Sequence, residues 1–304
     1  MSSSLIEALT FRRPVPDDVE SVARIVRAEE ERVRGESSWG VAETLEWWRW
    51  TNLDESWIAD DDGGSVAFGV VMERAEHLGY WGSVEPRYEG RGISTELLRR
   101  TEERARERGF PKLTAGMFGE NTAARELLER RGFREVRRFC HMRIDFDSTP
   151  SPPADDWPEG ITISTFRPED ARAFHDALGE AMADDWSHVS VGFEEWKRRR
   201  LDAPGTDTSL WFIARAGDEI AGVLRGERQF GGGWIGALGV RRPWRRRGIG
   251  SALLRHAFAE YHRRGESHVA LGVDTKNPTG ATRVYERAGM RVTTENVLFE
   301  KDLT

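Results

Sequence analysis

A run of arginines before two glycines is the part of the chain best suited to chemistry. Arg245, Arg246 and Arg247 precede Gly248 and Gly250. A helix is predicted to begin there, because the residues that follow repeat apolar side chains at helical spacing. A helix N-terminus offers free backbone N–H groups and a partial positive charge, which together bind phosphate. The stretch therefore predicts an anion site.

Two common phosphate-binding loops do not match this stretch. A P-loop requires Lys followed by Ser or Thr after its last glycine, and the sequence has no such run. A dinucleotide-binding loop requires three glycines directly after a strand. Here Pro243 to Arg247 separate the predicted strand, Trp234 to Val240, from the helix, and the third glycine is missing. A different kind of loop is indicated.

The strand, turn and helix occur twice in the chain. Gly92 and Gly248 are 156 positions apart, as are Asn121 and Asn277. One offset kept by separated features indicates a duplicated domain. The predicted division is an N-terminal domain over 1–148, a Pro- and Ser-rich linker over 149–160, and a C-terminal domain over 161–304.

Each half is predicted to follow the order β-α-α-β-β-β-α-β-α-β. The fold class is α/β in the wide sense (α+β), with two tandem copies of a mixed, largely antiparallel sheet flanked by helices. A doubly wound dinucleotide fold is excluded by this order.

Composition limits the classes of function. The net charge of −7 argues against a general nucleic-acid binder. A single cysteine, Cys140, fits a reducing compartment. Because neither a signal peptide nor a membrane-spanning segment is apparent, the expected location is the cytoplasm, with no membrane partner. The histidines lack metal-binding spacing, so no metal is expected. A monomer or a homodimer is expected.

The motifs of the second half resemble those of the GNAT acetyltransferase superfamily. Arg245 to Gly250 fits that family's Q/R-x-x-G-x-G/A pattern, and Asn277 with the run Tyr285 to Met290 resembles its N…LYEKxGF segment. The resemblance covers most of each half. It implies two tandem GNAT folds and N-acetyltransferase activity.

The resemblance also implies acetyl-coenzyme A as co-substrate. Backbone N–H groups of the turn would hold the pyrophosphate, and the preceding strand would hold the pantetheine arm. The cofactor-binding residues carried over from the family are Leu238, Gly239, Val240, Arg245, Arg246, Arg247, Gly248, Ile249, Gly250, Ser251, Asn277 and Tyr285.

Transfer to an amine needs donors for the thioester oxygen, a base and an acid. In the family a backbone N–H at the bulged end of the fourth strand meets the thioester carbonyl, and Val240 stands at the matching position. Tyr285 is the expected acid, because a phenol with a pKa of about 10 stays protonated at neutral pH; a core aromatic is the alternative. Asp274 and the loop from Asp184 to His188 are the candidates for the base; Asp274 is equally a turn residue.

The acceptor pocket is expected near the first helices of the second half. An acidic loop there would suit a cationic amine of a small molecule. The pocket residues are predicted to be Asp184, Asp185, Trp186 and His188. For His188, an exposed loop residue without a role is the competing interpretation.

The two halves are predicted to be unequal. In the first half Glu89 replaces Arg245, Ser94 replaces Gly250, and Leu128 stands where the acid Tyr285 would be. A carboxylate repels pyrophosphate and a leucine cannot donate a proton. Catalysis is therefore expected from residues 161–304, with the first half a degenerate copy.

Three alternatives remain open. Mycothiol synthases are similar in their tandem arrangement and in a VDxxNPxxxxxYExxGF-like run, so mycothiol synthesis is one specific possibility. A sensor or scaffold that binds acyl-coenzyme A without turnover is a possibility from a different class. A nucleic-acid module is the third, and would require the basic run to act alone.

Overall fold

Each repeat folds into helices and strands in the predicted order. The computed structural model describes residues 6–49, 51–73, 77–146, 157–185, 190–277 and 280–303. The elements of the first repeat are β1 (Thr10–Arg12), α1 (Val19–Arg34), α2 (Val41–Trp48), β2 (Trp57–Asp61), β3 (Gly64–Glu73), β4 (His77–Val84), α3 (Ile93–Glu107), β5 (Lys112–Phe118), α4 (Thr122–Arg130) and β6 (Arg134–Asp145).

The second repeat has the same succession of elements. They are β7 (Thr162–Thr165), α5 (Ala171–Met182), α6 (Phe193–Trp196), β8 (Trp211–Ala216), β9 (Glu219–Gln229), β10 (Gly232–Val240), α7 (Ile249–Arg263), β11 (His268–Asp274), α8 (Ala281–Arg287) and β12 (Arg291–Asp302). Residues 149–156 of the predicted linker lie outside the described residues.

The repeats exchange their closing strands. One compact unit consists of residues 1–138 and 295–304, and the other of residues 139–294. In unit 1, β12 pairs antiparallel with β5, from Asn296 opposite Phe118 to Asp302 opposite Lys112. In unit 2, β6 pairs antiparallel with β11. The units therefore follow the sequence repeat except at these strands, so unit 1 consists of two segments of the chain and unit 2 of one.

Both sheets are mixed and mostly antiparallel, as predicted. The strand order is β1-β2-β3-β4-β5-β12 in unit 1 and β7-β8-β9-β10-β11-β6 in unit 2. The parallel pairs are β4 with β5 and β10 with β11. Each parallel pair is joined through a helix, α3 or α7, as such a connection requires.

Helices cover both faces of the unit 2 sheet. On one face Leu253 and Phe258 of α7 are fully buried, and on the other Phe174 of α5 packs against Trp211. Burial of each such side chain stabilises the fold by about 1.5–3 kcal/mol. These contacts fix α5 and α7 against β9 and β10, the strands that carry the candidate site.

The described residues contain neither a membrane-spanning helix nor a cluster of metal ligands. In the part of the chain that the structure describes, no helix is long and apolar enough to cross a membrane. Within the same residues, no group of three or more His, Cys, Asp or Glu side chains is placed to hold a metal ion.

Candidate active site

Strand β10 separates from its parallel neighbour early. It pairs with β11 at only two positions, Gly233 with Val269 and Trp234 with Ala270. Its antiparallel pairing with β9 is interrupted by a bulge between Ile235 and Ala237 and then continues to Val240. Bulges bend a strand and often lie next to active sites. The edge of β10 that faces β11 is therefore unpaired with it after Trp234.

A buried tyrosine on α7 fixes the strand just before the bulge. The Tyr261 hydroxyl lies 2.9 Å from the backbone oxygens of both Glu227 and Trp234. Glycine is required beneath the ring, because a Cβ at Gly233 would lie 2.7 Å from the Tyr261 ring. Burial raises the pKa of Tyr261 above its ordinary value. Tyr261 is thus a structural support, distinct from Tyr285.

The turn after β10 leaves the N-terminus of α7 open. Gly248 precedes the helix with φ 83°, a left-handed conformation that favours glycine, and no described side chain caps this end of α7. The first N–H groups of a helix have no intrahelical acceptor, so those of Ile249, Gly250 and Ser251 are available to an anion. Arg246 also has a positive φ, 62°, which is uncommon for a non-glycine residue and is often found at functional sites.

The arginines from Arg242 to Arg247 fall into two groups. Arg246 and Arg247 are exposed beside the helix end. Arg242 and Arg245 instead form ion pairs with Asp184, at 2.5 and 2.7 Å. These two hydrogen-bonding guanidinium groups lower the pKa of Asp184 to about 2. Asp184 therefore ties the loop after α5 to the turn.

Arg245 has further contacts within the chain. Its Nε donates to the Val240 oxygen at 3.1 Å and its Nη2 to the Ala181 oxygen at 3.1 Å. The predicted phosphate ligand Arg245 thus also holds the end of β10 against α5. Arg246 and Arg247 are the side chains with the most freedom to reach an anion.

The other predicted cofactor residues differ in what surrounds them. Gly239 lies against α5, where a Cβ would be 2.6 Å from that of Ala181. A Cβ at Gly250 would meet only Val240, at 3.6 Å, which is an ordinary contact. Leu238 and Val240 are partly buried and pack on the core beneath α7. Gly239 is therefore required by packing, whereas Gly250 is free to change without disturbing the fold.

Val240 does not lie at the bulge of β10, where the family resemblance places the residue that meets the thioester carbonyl. The family pattern placed it at the bulged end of the strand, but it pairs regularly with Gly222, and the bulge is at Gly236. Strands rise about 3.3 Å per residue, so the two positions are roughly 13 Å apart. Val240 is thus at the end of the strand beside the glycine turn.

Asn277, Asp185 and Tyr285 come together. Asn277 Nδ2 donates to Asp185 Oδ2 at 2.9 Å. Tyr285 is 8% exposed, and burial together with the nearby Asp185 carboxylate raises the pKa of Tyr285 to about 12. The hydroxyl therefore keeps its proton at neutral pH, as an acid must.

Asp274 is buried at the end of β11 and holds a turn. Its Oδ1 accepts a hydrogen bond from the Lys276 N–H at 2.9 Å, and its backbone oxygen accepts one from the Asn277 N–H at 3.1 Å. These contacts fit the interpretation of Asp274 as a turn residue, and its role as base stays a prediction. The predicted pocket residues Trp186 and His188 lie outside the described residues.

An ion pair that sequence reasoning missed lies on the bulge. Arg225 Nη1 donates to Glu227 Oε2 at 2.9 Å. A Cβ at Gly236 would lie 2.3 Å from Arg225 Nη2 and 2.4 Å from Glu227 Oε1. Arg225 is 6% exposed, and Glu227 is partly exposed. A carboxylate therefore lies directly against the bulge, on the sheet face that α5 covers.

One signal in the sequence points to this pair. Arg225 and Glu227 follow the apolar run Ile220 to Leu224 within β9. A charged residue inside such a strand is buried only when it is paired. The pairing itself depends on the register of β9, which the pattern does not give.

Unit 1 has a shorter open strand edge. There β4 pairs with β5 at five positions, up to Trp81 opposite Gly116, and its pairing with β3 has no bulge. The Trp81 ring packs on Gly116, where a Cβ would be 2.5 Å away. At the turn, Glu89 forms an ion pair with Arg32 at 2.6 Å. In unit 2 the turn carries the arginine, Arg245, and the segment after the helix carries the carboxylate, Asp184. In unit 1 the turn carries the carboxylate, Glu89, and the helix carries the arginine, Arg32.

Fold and site together define a tandem acetyltransferase. The model of the acetyltransferase (GNAT) family matches residues 20–133 and again residues 171–290. The chain belongs to this family, whose members transfer acetyl groups from acetyl-coenzyme A, and it is an acetyltransferase.

Known proteins resemble the chain over most of its length. A mycothiol acetyltransferase from Thermobispora bispora is 30% identical over 248 residues, which cover 79% of this chain and 81% of the relative. The crystal structure of a GCN5-related N-acetyltransferase from Sphaerobacter thermophilus is 36% identical, with a TM-score of 0.84 over 98% of this chain and 96% of that one.

A second solved structure shares the arrangement. A tandem GNAT protein from the clavulanic acid biosynthesis pathway has a TM-score of 0.72 and 17% identity over 97% of this chain and 99% of that one. At this identity the similarity concerns the fold alone.

Proposed function

We propose that this protein transfers the acetyl group of acetyl-coenzyme A to a primary amine of a small molecule, and that unit 2 performs the reaction. The observation that supports this best is the coincidence of two features at the end of β10. The N-terminus of α7 is uncapped, and the adjacent strand edge is unpaired with β11. In unit 1 the corresponding strand, β4, stays paired with β5 up to Trp81.

The residues present fit the co-substrate. The N–H groups of Ile249, Gly250 and Ser251, with exposed Arg246 and Arg247, suit a pyrophosphate. The edge of β10 from Gly236 to Val240 suits an extended chain with amide groups, which adds to a strand edge through backbone hydrogen bonds. We place the thioester at the bulge end of this edge, and Val240 nearer the phosphates.

Bound acetyl-coenzyme A would supply an activated acetyl thioester. The C–N bond forms as the C–S bond breaks, one proton leaves the amine and one is added to the sulfur. The Glu227 carboxylate, against Gly236, takes the amine proton directly or through a water molecule. The Tyr285 hydroxyl donates the proton to the sulfur. A backbone N–H at the bulge holds the thioester oxygen, an interaction typically worth about 2.7–4 kcal/mol of the barrier.

The acceptor is an amine because the pocket side of the sheet is acidic. Glu227 lies on the face that α5 covers, and Asp185 follows that helix beside Asn277. The second candidate is more specific: the acceptor is the desacetyl precursor of mycothiol. It is supported by the 30% identical relative named mycothiol acetyltransferase.

Release of free thiol from acetyl-coenzyme A tests the proposal. The purified chain is mixed with acetyl-coenzyme A and, separately, with polyamines, aminoglycosides, amino acids and the desacetyl precursor of mycothiol. We expect amine-dependent thiol release with at least one acceptor, and with the mycothiol precursor if the second candidate holds. Tight binding of acetyl-coenzyme A without release by any amine would instead support a sensor.

A further inference from the structure

Strand β11 has an exposed glycine within it. This strand lies between β10 and β6, so it is an interior strand of the unit 2 sheet, and Gly272 is nevertheless exposed. A Cβ at Gly272 would find its nearest described neighbours at 3.8 and 3.9 Å, on the rings of His141 and Trp234. These are ordinary contact distances. Glycine inside a strand often marks a place where a ligand approaches the backbone closely. Gly272 is therefore the floor of an open recess.

In unit 1 the corresponding recess is filled by an indole ring. Gly116 precedes Gly272 by 156 positions, the offset of the repeat, and lies on β5. A Cβ at Gly116 would lie 2.5 Å from Trp81 Cε3 and 2.8 Å from Cζ3, and both atoms belong to the six-membered ring of the indole. At the same offset Trp81 corresponds to Ala237, whose side chain is a single methyl group. The described part of unit 2 therefore keeps the glycine and leaves open the volume of one six-membered ring.

Aromatic side chains form the walls of the recess. The rings of Trp234 and His141 are 5.6 Å apart with an interplanar angle of 76°, and the Phe230 ring packs edge-on against Trp234 at 5.2 Å. His141 lies on β6 directly opposite Gly272, so the closing strand of the first repeat supplies one wall. Aromatic walls with a few polar groups nearby are typical of small-molecule sites.

Phe230 is held in an unfavourable backbone conformation. Phe230 and Gly231 form the two-residue turn between β9 and β10, with φ 54° and 74°. Turns with positive φ at both positions favour Asn, Asp or Gly at the first, so phenylalanine is strained there. Such strain clusters at active sites and ligand-binding segments. Here it places an aromatic ring against Trp234.

The recess adjoins the proposed transfer site. Trp234 is paired with Glu227 across β10 and β9, and residues paired in this way have their side chains on the same face of the sheet. Gly236, where we place the thioester, is two residues further along β10, roughly 7 Å at the rise of a strand. A ring over Gly272 would therefore have an attached amino group within reach of Glu227 and the bulge.

We infer that the acceptor carries a six-membered ring next to its amino group, and that this ring lies on Gly272 between Trp234 and His141. The inference rests on the proposed transfer in unit 2 and names the class of its acceptor. The ring of Trp81 on Gly116 shows the size of group that such a glycine accommodates. An aromatic ring and a sugar ring both present a flat face to the aromatic walls, and the test distinguishes them.

Titration calorimetry in the presence of coenzyme A tests the inference without turnover. Benzylamine and glucosamine are the ring amines, and n-hexylamine and glucamine are their open-chain counterparts. We expect at least one ring amine to bind at least about 10-fold more tightly than its counterpart, because its ring contacts the aromatic walls and has fewer rotatable bonds to immobilise. Preference for benzylamine alone would identify an aromatic acceptor, and for glucosamine alone a sugar amine.

Substitutions in the recess should remove this preference. Gly272→Val should weaken binding of the preferred ring amine by at least about 10-fold, because its methyl groups take the volume of the ring. Gly272→Ala guards against misfolding, since its Cβ meets ordinary contacts; it should keep the melting temperature and give a smaller loss. Trp234→Ala should weaken binding about 2–10-fold. Thr162→Val, exposed on β7 at the far edge of the sheet, is the matched control and should change nothing.

Thiol release with the same amines separates this inference from the proposed function. Equal release with ring and open-chain amines, unchanged in Gly272→Val, would overturn the inference and leave the transfer reaction standing. Ring-amine binding that Gly272→Val weakens, with no thiol release from any amine, would support the ring site and overturn the transfer. Equal affinity of ring and open-chain amines, or no binding of either ring amine at millimolar concentrations, would also overturn the inference.

Discussion

Tyr285→Phe is expected to lower kcat by about 10²–10⁴-fold while acetyl-coenzyme A still binds, because general acid catalysis is typically worth that factor. The Tyr285 ring is 8% exposed within the unit 2 core, and phenylalanine keeps that packing. The lost group is the hydroxyl, whose pKa burial raises to about 12. The effect is measured as thiol release under saturating substrates, with calorimetry for the affinity of acetyl-coenzyme A.

The pH dependence of the wild type gives a separate check. An acid works only while protonated, so its contribution is present below its pKa and is lost as the pH rises through it. With a pKa of about 12, Tyr285 should cause no loss of kcat between pH 7 and about pH 10. A Tyr285→Phe enzyme with the wild-type kcat would rule out the acid role. A matched fall in the affinity for acetyl-coenzyme A would point to a binding role.

Glu227→Gln is expected to lower kcat/KM for the amine by about 10²–10⁴-fold at neutral pH, because the base that accepts the amine proton is removed. An aliphatic amine has a pKa near 10, so the unprotonated acceptor becomes abundant only in alkaline solution. The loss should therefore shrink as the pH rises from 7 to 10. Glutamine keeps the shape of the side chain and can still accept a hydrogen bond from Arg225.

The control for this variant is Glu266, which lies between α7 and β11 and pairs with a residue of the strand that carries Glu227. Glu266 is buried and forms an ion pair with Arg228 of β9 at 2.6 Å, away from Gly236. Glu266→Gln should change stability and leave the pH profile of kcat/KM unchanged. Because Glu227→Gln leaves the buried Arg225 without its anion, rates are normalised to the folded fraction from thermal melts. A wild-type pH profile in Glu227→Gln would contradict the role as base.

Much of the fold could be predicted because the same order of strands and helices occurs twice in the sequence. Apolar strands, the glycine turn and the helix after it recur at one offset, and local sequence determines each of them. Gly248 is an example, since its left-handed φ of 83° is a property of the turn itself. The candidate cofactor turn was therefore accessible from sequence.

The exchange of closing strands was not accessible in the same way. Two similar sheets offer two similar edges, so the apolar alternation of β6 and β12 cannot indicate which sheet receives which strand. Met142 and Ile144 lie in the core of unit 2, and Val297 and Phe299 in the core of unit 1. This choice depends on contacts between residues far apart in the chain.

The proposed base, Glu227, could not be predicted from sequence for a related reason. Its strand is otherwise apolar up to Leu224, and no local pattern connects Glu227 with the glycine turn. Its relation to the site depends on the bulge at Gly236, which brings Arg225 and Glu227 onto the backbone of β10. The ion pair of Arg245 with Asp184 could not be predicted either, because the two residues are 61 positions apart in the chain; that Arg245 also binds phosphate stays a prediction.

We propose that unit 2 alone binds and uses acetyl-coenzyme A. A pair of matched variants tests this proposal most directly. Gly250→Asp places a carboxylate at the open end of α7, where an acidic residue suits the helix but repels phosphate. Ser94→Asp makes the same change at the corresponding position of α3. Titration calorimetry and thiol release are measured for both.

We expect one tight site for acetyl-coenzyme A per chain in the wild type. Gly250→Asp should weaken acetyl-coenzyme A binding by at least about 100-fold, since like charges in contact cost several kcal/mol, and should abolish turnover. Ser94→Asp should leave both unchanged. Two equal tight sites in the wild type, or loss of turnover in Ser94→Asp with activity kept in Gly250→Asp, would contradict the claim.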